Sequence, residues 1–201
     1  MSNIFLGTLS ILCASALWGV VHSILAAHTV KETIRRALGQ PAFDRWYRFI
    51  YNIFALVSFL PLMAVLYIFP DPLLYRIPAP WVYLTILIQV LSVVALVAAV
   101  IQTGPLEFIG LAQLTKVEEA KSGQLMTSGF YAYVRHPLYT GTLVFLWLIP
   151  EMTVNRLIFF AALTLYILIG AYFEERKLLK DFGTAYAEYK AKTPMLIPKV
   201  W

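Results

Sequence analysis

Apolar runs close to bilayer-spanning length recur along this chain, and they constrain its fold more than any other feature. A transmembrane helix needs about 20 apolar residues to cross a hydrocarbon core of about 30 Å. Three runs qualify, from about Ile4 to Ala27, Tyr47 to Phe69 and Trp81 to Thr103. Two more, Leu138 to Pro150 and Leu157 to Phe173, flank the polar turn Glu151–Arg156 and read as a helical hairpin. The first of these two is short, so it must tilt or begin inside a protein-lined cavity. Pro61 is expected to kink the second run. The fold class expected is all-α, a polytopic integral membrane protein of about five transmembrane helices. The 201 residues make one membrane domain and leave no room for a second. Only 13% of the residues are charged, where a soluble domain carries roughly a quarter. The N-terminal run lacks a basic flank and is too long for a cleaved signal, so it reads as a retained helix.

The 16 basic residues report orientation. Lys31, Arg35, Arg36, Arg45 and Arg48 fall in the first loop, and Lys116, Lys121 and Arg135 in the third. Arg176, Lys177, Lys180, Lys190, Lys192 and Lys199 fall in the tail, leaving only Arg76 and Arg156 on the other side. The positive-inside rule then puts these loops and the tail in the cytoplasm and the N-terminus outside, which requires an odd number of spans. The net charge of +5 thus reflects topology, and no nucleic-acid partner is expected. Cys13 stands alone in an apolar run, so no intramolecular disulfide forms.

Ser15, Gly19, Ser23 and Ala27 recur every four residues, a face that lets helices approach closely. The stretch Gly104 to His136 is too long for a simple connector, and long ordered loops are usually functional. The tail from Glu174 to Lys192 is expected to continue as a helix, with Leu178, Phe182, Ala185, Tyr186 and Tyr189 on one face.

Three constellations carry chemistry. Gly129 to Gly141, GFYAYVRHPLYTG, puts Arg135, His136 and Pro137 at the mouth of a membrane helix. Proline suits a first helical turn, and the free N–H groups there attract carboxylate or phosphate. His136 and Tyr139 lie within one turn of each other. The segment serves either as a ligand site or as an interfacial anchor in which arginine snorkels and tyrosine sits among headgroups. Glu174 and Glu175 follow at the end of the last run. One of them either pairs with Arg135 or meets a ligand ammonium group, or both are solvated with helical i, i+3 partners. His22 lies within the membrane end of the first run. It is a functional candidate by location, or a neutral side chain bonded to Gln102 or Asn52.

Three histidines without clustered cysteines or acids give no metal site. A glycine-rich phosphate loop, a dinucleotide fingerprint and a serine nucleophile elbow are also missing from the sequence.

GFYAYVRHPLYTG followed by EERKLLKDFGTAYAEYKAKTPMLIP resembles the signature of membrane-embedded methyltransferases of the isoprenylcysteine carboxyl methyltransferase and phospholipid N-methyltransferase type. The likeness covers about Gly123 to Pro198, with two motifs in order across a hairpin. WGVVHSILA, QTGPLEFIGLAQL and the run from Met152 to Glu175 are similar to the methanethiol S-methyltransferase and NnrU branch. The resemblance implies S-adenosyl-L-methionine bound at the cytosolic face of a bacterial inner membrane. It maps Gln124, Leu125 and Met126 onto the segment that wraps the nucleoside. Tyr131, His136, Pro137, Leu138 and Tyr139 map onto further cofactor contacts, and Glu174 onto the acid facing the ammonium end. Residues 1–103 then line the acceptor pocket and residues 104–201 hold the cofactor. The carboxyl methyltransferases carry a basic residue four positions before that acid, where this chain has Gly170. A small lipophilic thiol such as methanethiol therefore fits better than a carboxylate acceptor. The alternatives are a prenylcysteine or phospholipid acceptor, or a non-enzymatic NnrU-like accessory role. The catalytic candidates are Arg135 and Glu174, with His22 as acceptor of a thiol proton. The partners expected are the lipid bilayer and a small lipophilic substrate, without metal; the oligomeric state stays open.

Overall fold

Four helices carry the long apolar runs in the computed structural model, which describes residues 2–115 and 125–198. They are α1 (Ser2–Ala26), α3 (Gln40–Ile68), α4 (Trp81–Gln102) and α8 (Val154–Phe182). Among the described residues these four are long and apolar enough to cross a membrane. The chain is an all-α polytopic membrane protein, with four such helices where five were expected. The expected fourth run is helical only over α7 (Pro137–Trp147), 11 residues. At 1.5 Å per residue it reaches roughly 16 Å, about half a hydrocarbon core. Shorter elements are α2 (His28–Leu38), α5 (Pro105–Ile109), α6 (Ala112–Thr115), α9 (Thr184–Lys192) and a 3-10 turn at Gly129–Ala132. Two short strands, β1 (Leu73–Arg76) and β2 (Glu151–Thr153), pair in a two-stranded sheet.

The chain divides into two compact units. The first takes residues 1–74, 104–120 and 153–162, and the second takes 75–103, 121–152 and 163–201.

In the first unit α1 and α3 run antiparallel. Trp18 Nε1 donates to Ser58 Oγ at 3.1 Å, and the Tyr47 hydroxyl donates to the Leu25 carbonyl. A Cβ at Gly7 would lie 2.8 Å from Phe69 Cβ, so glycine permits the close crossing there. Of the small-residue face, Gly19 is buried and Ser15 half-buried, whereas Ser23 and Ala27 are exposed. Helix α3 continues through Pro61 to Ile68. Arg48 Nη1 donates to the Glu107 carbonyl at 2.8 Å, and Asn52 Nδ2 to those of Phe108 and Ile109 at 3.0 and 2.9 Å. These bonds satisfy carbonyls orphaned at the end of α5. Gly110, at φ +93°, then lets the chain pass against α3, since a Cβ would meet Phe49 N at 2.6 Å. Asn155, 1% exposed, donates from Nδ2 to the Leu66 carbonyl at 3.0 Å. Its own N–H donates to Asp71 Oδ1 at 2.8 Å, an acid at a helix N-terminus.

In the second unit α4 and α7 are antiparallel and close. Ser92 and Leu96 face Gly141, where a Cβ would lie 2.8 Å from Leu96 Cγ. Gln89 Nε2 donates to the Phe145 carbonyl at 2.8 Å. Trp147 Nε1 donates to Thr164 Oγ1 at 3.0 Å and ties the end of α7 to α8. The tail does not continue as one helix. Gly183, at φ +56°, separates α8 from α9, and α9 turns Tyr186 and Tyr189 inward.

Candidate active site

The tyrosine-rich motif starts where α4 ends. Gln102 Nε2 donates to the Ser128 carbonyl at 2.9 Å. Gly129 follows at φ +62°, and a Cβ there would collide with the Gln102 amide. Glycine alone suits both the left-handed backbone and the close approach. The 3-10 turn then leads to Val134, which is buried, and to His136, the residue before α7. Pro137 opens α7 as the sequence predicts. The N–H groups of Leu138 and Tyr139 in that first turn have no intrahelical acceptor.

The tail folds onto this segment as a strap. Arg135 N donates to the Pro194 carbonyl at 2.9 Å and His136 N to that of Met195 at 3.2 Å. Thr140 Oγ1 donates to the Leu196 carbonyl at 2.7 Å, and the Tyr189 hydroxyl to that of Tyr131 at 2.6 Å. Burial pushes the Tyr189 phenol up to about 12. Burial and the Glu175 charge push Tyr186 up to about 12.

Between strap and helices lies a cluster of charges. Arg135 Nε donates to Glu175 Oε1 at 2.6 Å, and Nη2 pairs with the same oxygen. Arg135 Nη1 donates to the carbonyls of Lys190 and Thr193. Lys190 Nζ lies 2.8 Å from Glu175 Oε2. The reading in which one acid pairs with Arg135 therefore applies to Glu175. Glu174, the preceding residue, accepts a hydrogen bond from the Tyr139 hydroxyl at 3.0 Å, and its side chain is 45% exposed. The His136 ring is buried between the two acids, Nδ1 3.6 Å from Glu174 and Nε2 3.5 Å from Glu175. These separations are too long for good hydrogen bonds, and Nε2 is buried with the Glu175 carboxylate as its neighbour but without a hydrogen-bond partner. The ring stacks on Tyr139 with centroids 5.3 Å apart. Burial, then the Glu174 charge, raises the Tyr131 phenol above its ordinary value.

The structure thus brings together Arg135, His136, Pro137, Leu138, Tyr139, Tyr131 and Glu174 in the second unit. Leu125 is half-buried, and Met126 receives the Ser128 hydroxyl at 3.7 Å from its sulfur. Gln124 lies outside the described residues. His22 belongs to the first unit. Its ring stacks between Trp18 and Tyr51, at 4.8 and 4.9 Å, and the Tyr51 hydroxyl lies 2.7 Å from Nε2. Its partner is thus Tyr51, whereas Asn52 and Gln102 serve backbone carbonyls elsewhere. Gly170 sits one turn before Glu174 on α8, with nothing within 4 Å of where its Cβ would be. Lys190 and the strap carbonyls are not legible in the residue order: Lys190 reads as one more basic charge of the tail, and backbone acceptors leave no residue signature. Among the described residues no group of three His, Cys, Asp or Glu is placed to hold a metal.

The donor set fits a zwitterionic sulfonium ligand. A half-exposed carboxylate suits its cationic groups, and a helix N-terminus suits its carboxylate. Tyrosine faces and Met126 suit a purine.

The family described as NnrU protein matches residues 10–200. Methanethiol S-methyltransferase 1 of Bradyrhizobium diazoefficiens is 32% identical over 196 residues, 91% of this chain and 64% of its own length. A methanethiol S-methyltransferase of Crocosphaera subtropica is 46% identical over 72 residues, 36% of this chain and 28% of its own. Protein-S-isoprenylcysteine O-methyltransferase of Schizosaccharomyces pombe is 34% identical over 87 residues, 40% of this chain and 35% of its own. The chain thus spans less than two thirds of the length of the curated relatives it matches. No solved structure matches it.

Proposed function

The chain belongs to the NnrU family, and on that premise we propose that it is an S-adenosylmethionine-dependent membrane methyltransferase. Its acceptor is a small lipophilic thiol such as methanethiol, methylated on sulfur. The observation that carries this reading is the half-exposed Glu174 carboxylate beside the N-terminus of α7, with the His136 ring stacked on Tyr139 between them. The likeness to methanethiol S-methyltransferases supports the acceptor.

S-adenosylmethionine supplies an electrophilic methyl group on a sulfonium. Glu174 holds the cationic end, and the N–H groups of Leu138 and Tyr139 hold the carboxylate, with the His136 ring stacked on Tyr139 beside them. Leu125, Met126 and Tyr131 enclose the nucleoside. Catalysis here is orientation and exclusion of water from two reactants, which effective molarities show to be a large effect. The thiolate is the nucleophile, so a proton must leave the acceptor. The site faces the cytoplasm of a bacterial inner membrane in this reading, because the basic loops and the tail then share one side, with the α7 segment serving as the fifth crossing.

Headspace analysis of cells expressing the chain and given methanethiol tests the activity. Dimethyl sulfide above the empty-vector level is expected. Methylated phospholipid or prenylcysteine ester without dimethyl sulfide would overturn the acceptor and keep the methyl donor. Absence of any methylated product together with absence of S-adenosylhomocysteine binding would leave a non-enzymatic membrane protein.

A further inference from the structure

Two adjacent acids with unlike surroundings need an explanation. Glu175 is buried, with Arg135 on Oε1 and Lys190 on Oε2. An acid buried with one cation alone would be costly, whereas two cations and their hydrogen bonds satisfy both oxygens. Glu174 has a neutral phenol donor and half-exposed oxygens. Only the His136 ring separates the two carboxylates, being 3.6 Å from one and 3.5 Å from the other.

The geometry points to a charge-sorting device: Glu175 holds Arg135 and Lys190 so that neither neutralises Glu174, which stays available to a ligand cation. This inference rests on the methyltransferase reading of the site and gives three residues outside the cofactor contacts a positioning role. Arg135 is one of them. Its side chain is 8% exposed, and its donors are spent on Glu175 and on the Lys190 and Thr193 carbonyls. It therefore acts through its neighbours and not on the acceptor. Lys190 is the mobile member, a point charge on a flexible stem with its side chain 47% exposed. Released from Glu175, its charge has as a neighbouring acid Glu174, the adjacent residue of the chain, whose side chain is 45% exposed. There it would compete with the ammonium and sulfonium charges of a bound ligand.

A simple strap-anchoring role and charge sorting give opposite results in one double-mutant cycle, read by calorimetry with S-adenosylhomocysteine on the full chain. Glu175→Gln keeps the shape and removes the charge. It is expected to weaken binding roughly tenfold, the scale of one charged hydrogen bond. Adding Lys190→Met removes the competitor, and affinity is expected to recover toward the wild type. If the double variant binds more weakly still, Glu175 only anchors the strap and the inference fails. Wild-type affinity in Glu175→Gln overturns it as well. Lys190→Met alone gives a second arm that does not depend on folding without Glu175. Its affinity is expected within about twofold of wild type, since it removes a charge already balanced on a half-exposed pair. A tenfold loss there would show Lys190 touching the ligand and would overturn the sorting role. Wild-type protein that binds nothing removes the methyltransferase reading and this inference together. Wild-type binding with an unaffected Glu175→Gln removes this inference alone.

Discussion

Tyr139 and Glu174 join the two ends of the signature: the Tyr139 hydroxyl at the start of α7 donates to Glu174 Oε2 at 3.0 Å across 35 residues of chain. The bond fixes the carboxylate beside the first turn of α7, where N–H groups point outward. Opposite partial charges are thereby set side by side, as a zwitterionic ligand requires.

Glu174→Gln should lower affinity for S-adenosylhomocysteine by about 1.5–3 kcal/mol, the contribution of a hydrogen bond to a charged group. Thermal stability should stay near wild type, because the side chain is 45% exposed. Calorimetry and a melting curve on the same sample check both halves. His136→Ala and Tyr139→Phe should weaken binding in the same direction, and unchanged affinity in all three variants would reject the pocket.

The tail should be alkali-sensitive in a defined window. Tyr186 and Tyr189 have phenols raised from 10 to about 12 in the folded chain. A raised value means the folded state holds the proton more tightly, so this contribution is complete below pH 10. It is lost as pH rises from 10 through about 12, when the unfolded tail ionises first. Tyrosinate absorbance in Tyr186→Phe and Tyr189→Phe variants should each lose one late-titrating group.

Gly170→Leu separates acceptor from cofactor. Nothing lies within 4 Å of the Cβ position, so the first atom of the new side chain meets open space. Replacing a mid-helix glycine should raise helix stability by up to about 1 kcal/mol. The added side chain should reduce methyl transfer to methanethiol while cofactor affinity holds. Unchanged turnover would place the acceptor away from this face of α8.

Gly129→Ala should destabilise the motif by about 1–3 kcal/mol, through a positive φ and a collision with the Gln102 amide. Gln102→Ala in the same chain should relieve the collision but leave the backbone cost. A melting-temperature cycle reads the difference, and additive effects would contradict the contact.

Much of the site is legible in the residue order, because it is made by side chains with strong local rules. Pro137 marks the helix start, and an arginine with two acids across a hairpin announces an ion pair. The residues alone did not say which acid pairs. That depends on Lys190 and on the turn at Gly183, which periodicity across Leu178, Phe182 and Tyr186 conceals. The strap is invisible for a related reason: Pro194, Met195 and Leu196 offer backbone carbonyls, and any residue would do so. The four long helices follow from hydropathy, whereas the half-length of α7 is set by where α4 and the Trp147–Thr164 bond hold it. The residue bonded to His22, expected to be Gln102 or Asn52, is Tyr51, one position before Asn52. Helical phase decides that choice, and a one-residue step turns the side chain by about 100°.

In the proposed function His136, Tyr139 and Glu174 hold S-adenosylmethionine at the N-terminus of α7. Calorimetric titration of the purified chain with S-adenosylhomocysteine decides whether they do. Saturable binding at one site per chain, weakened in Glu174→Gln, is the result expected. Absence of saturable binding by the folded wild-type protein, or equal binding by Glu174→Gln, would contradict it.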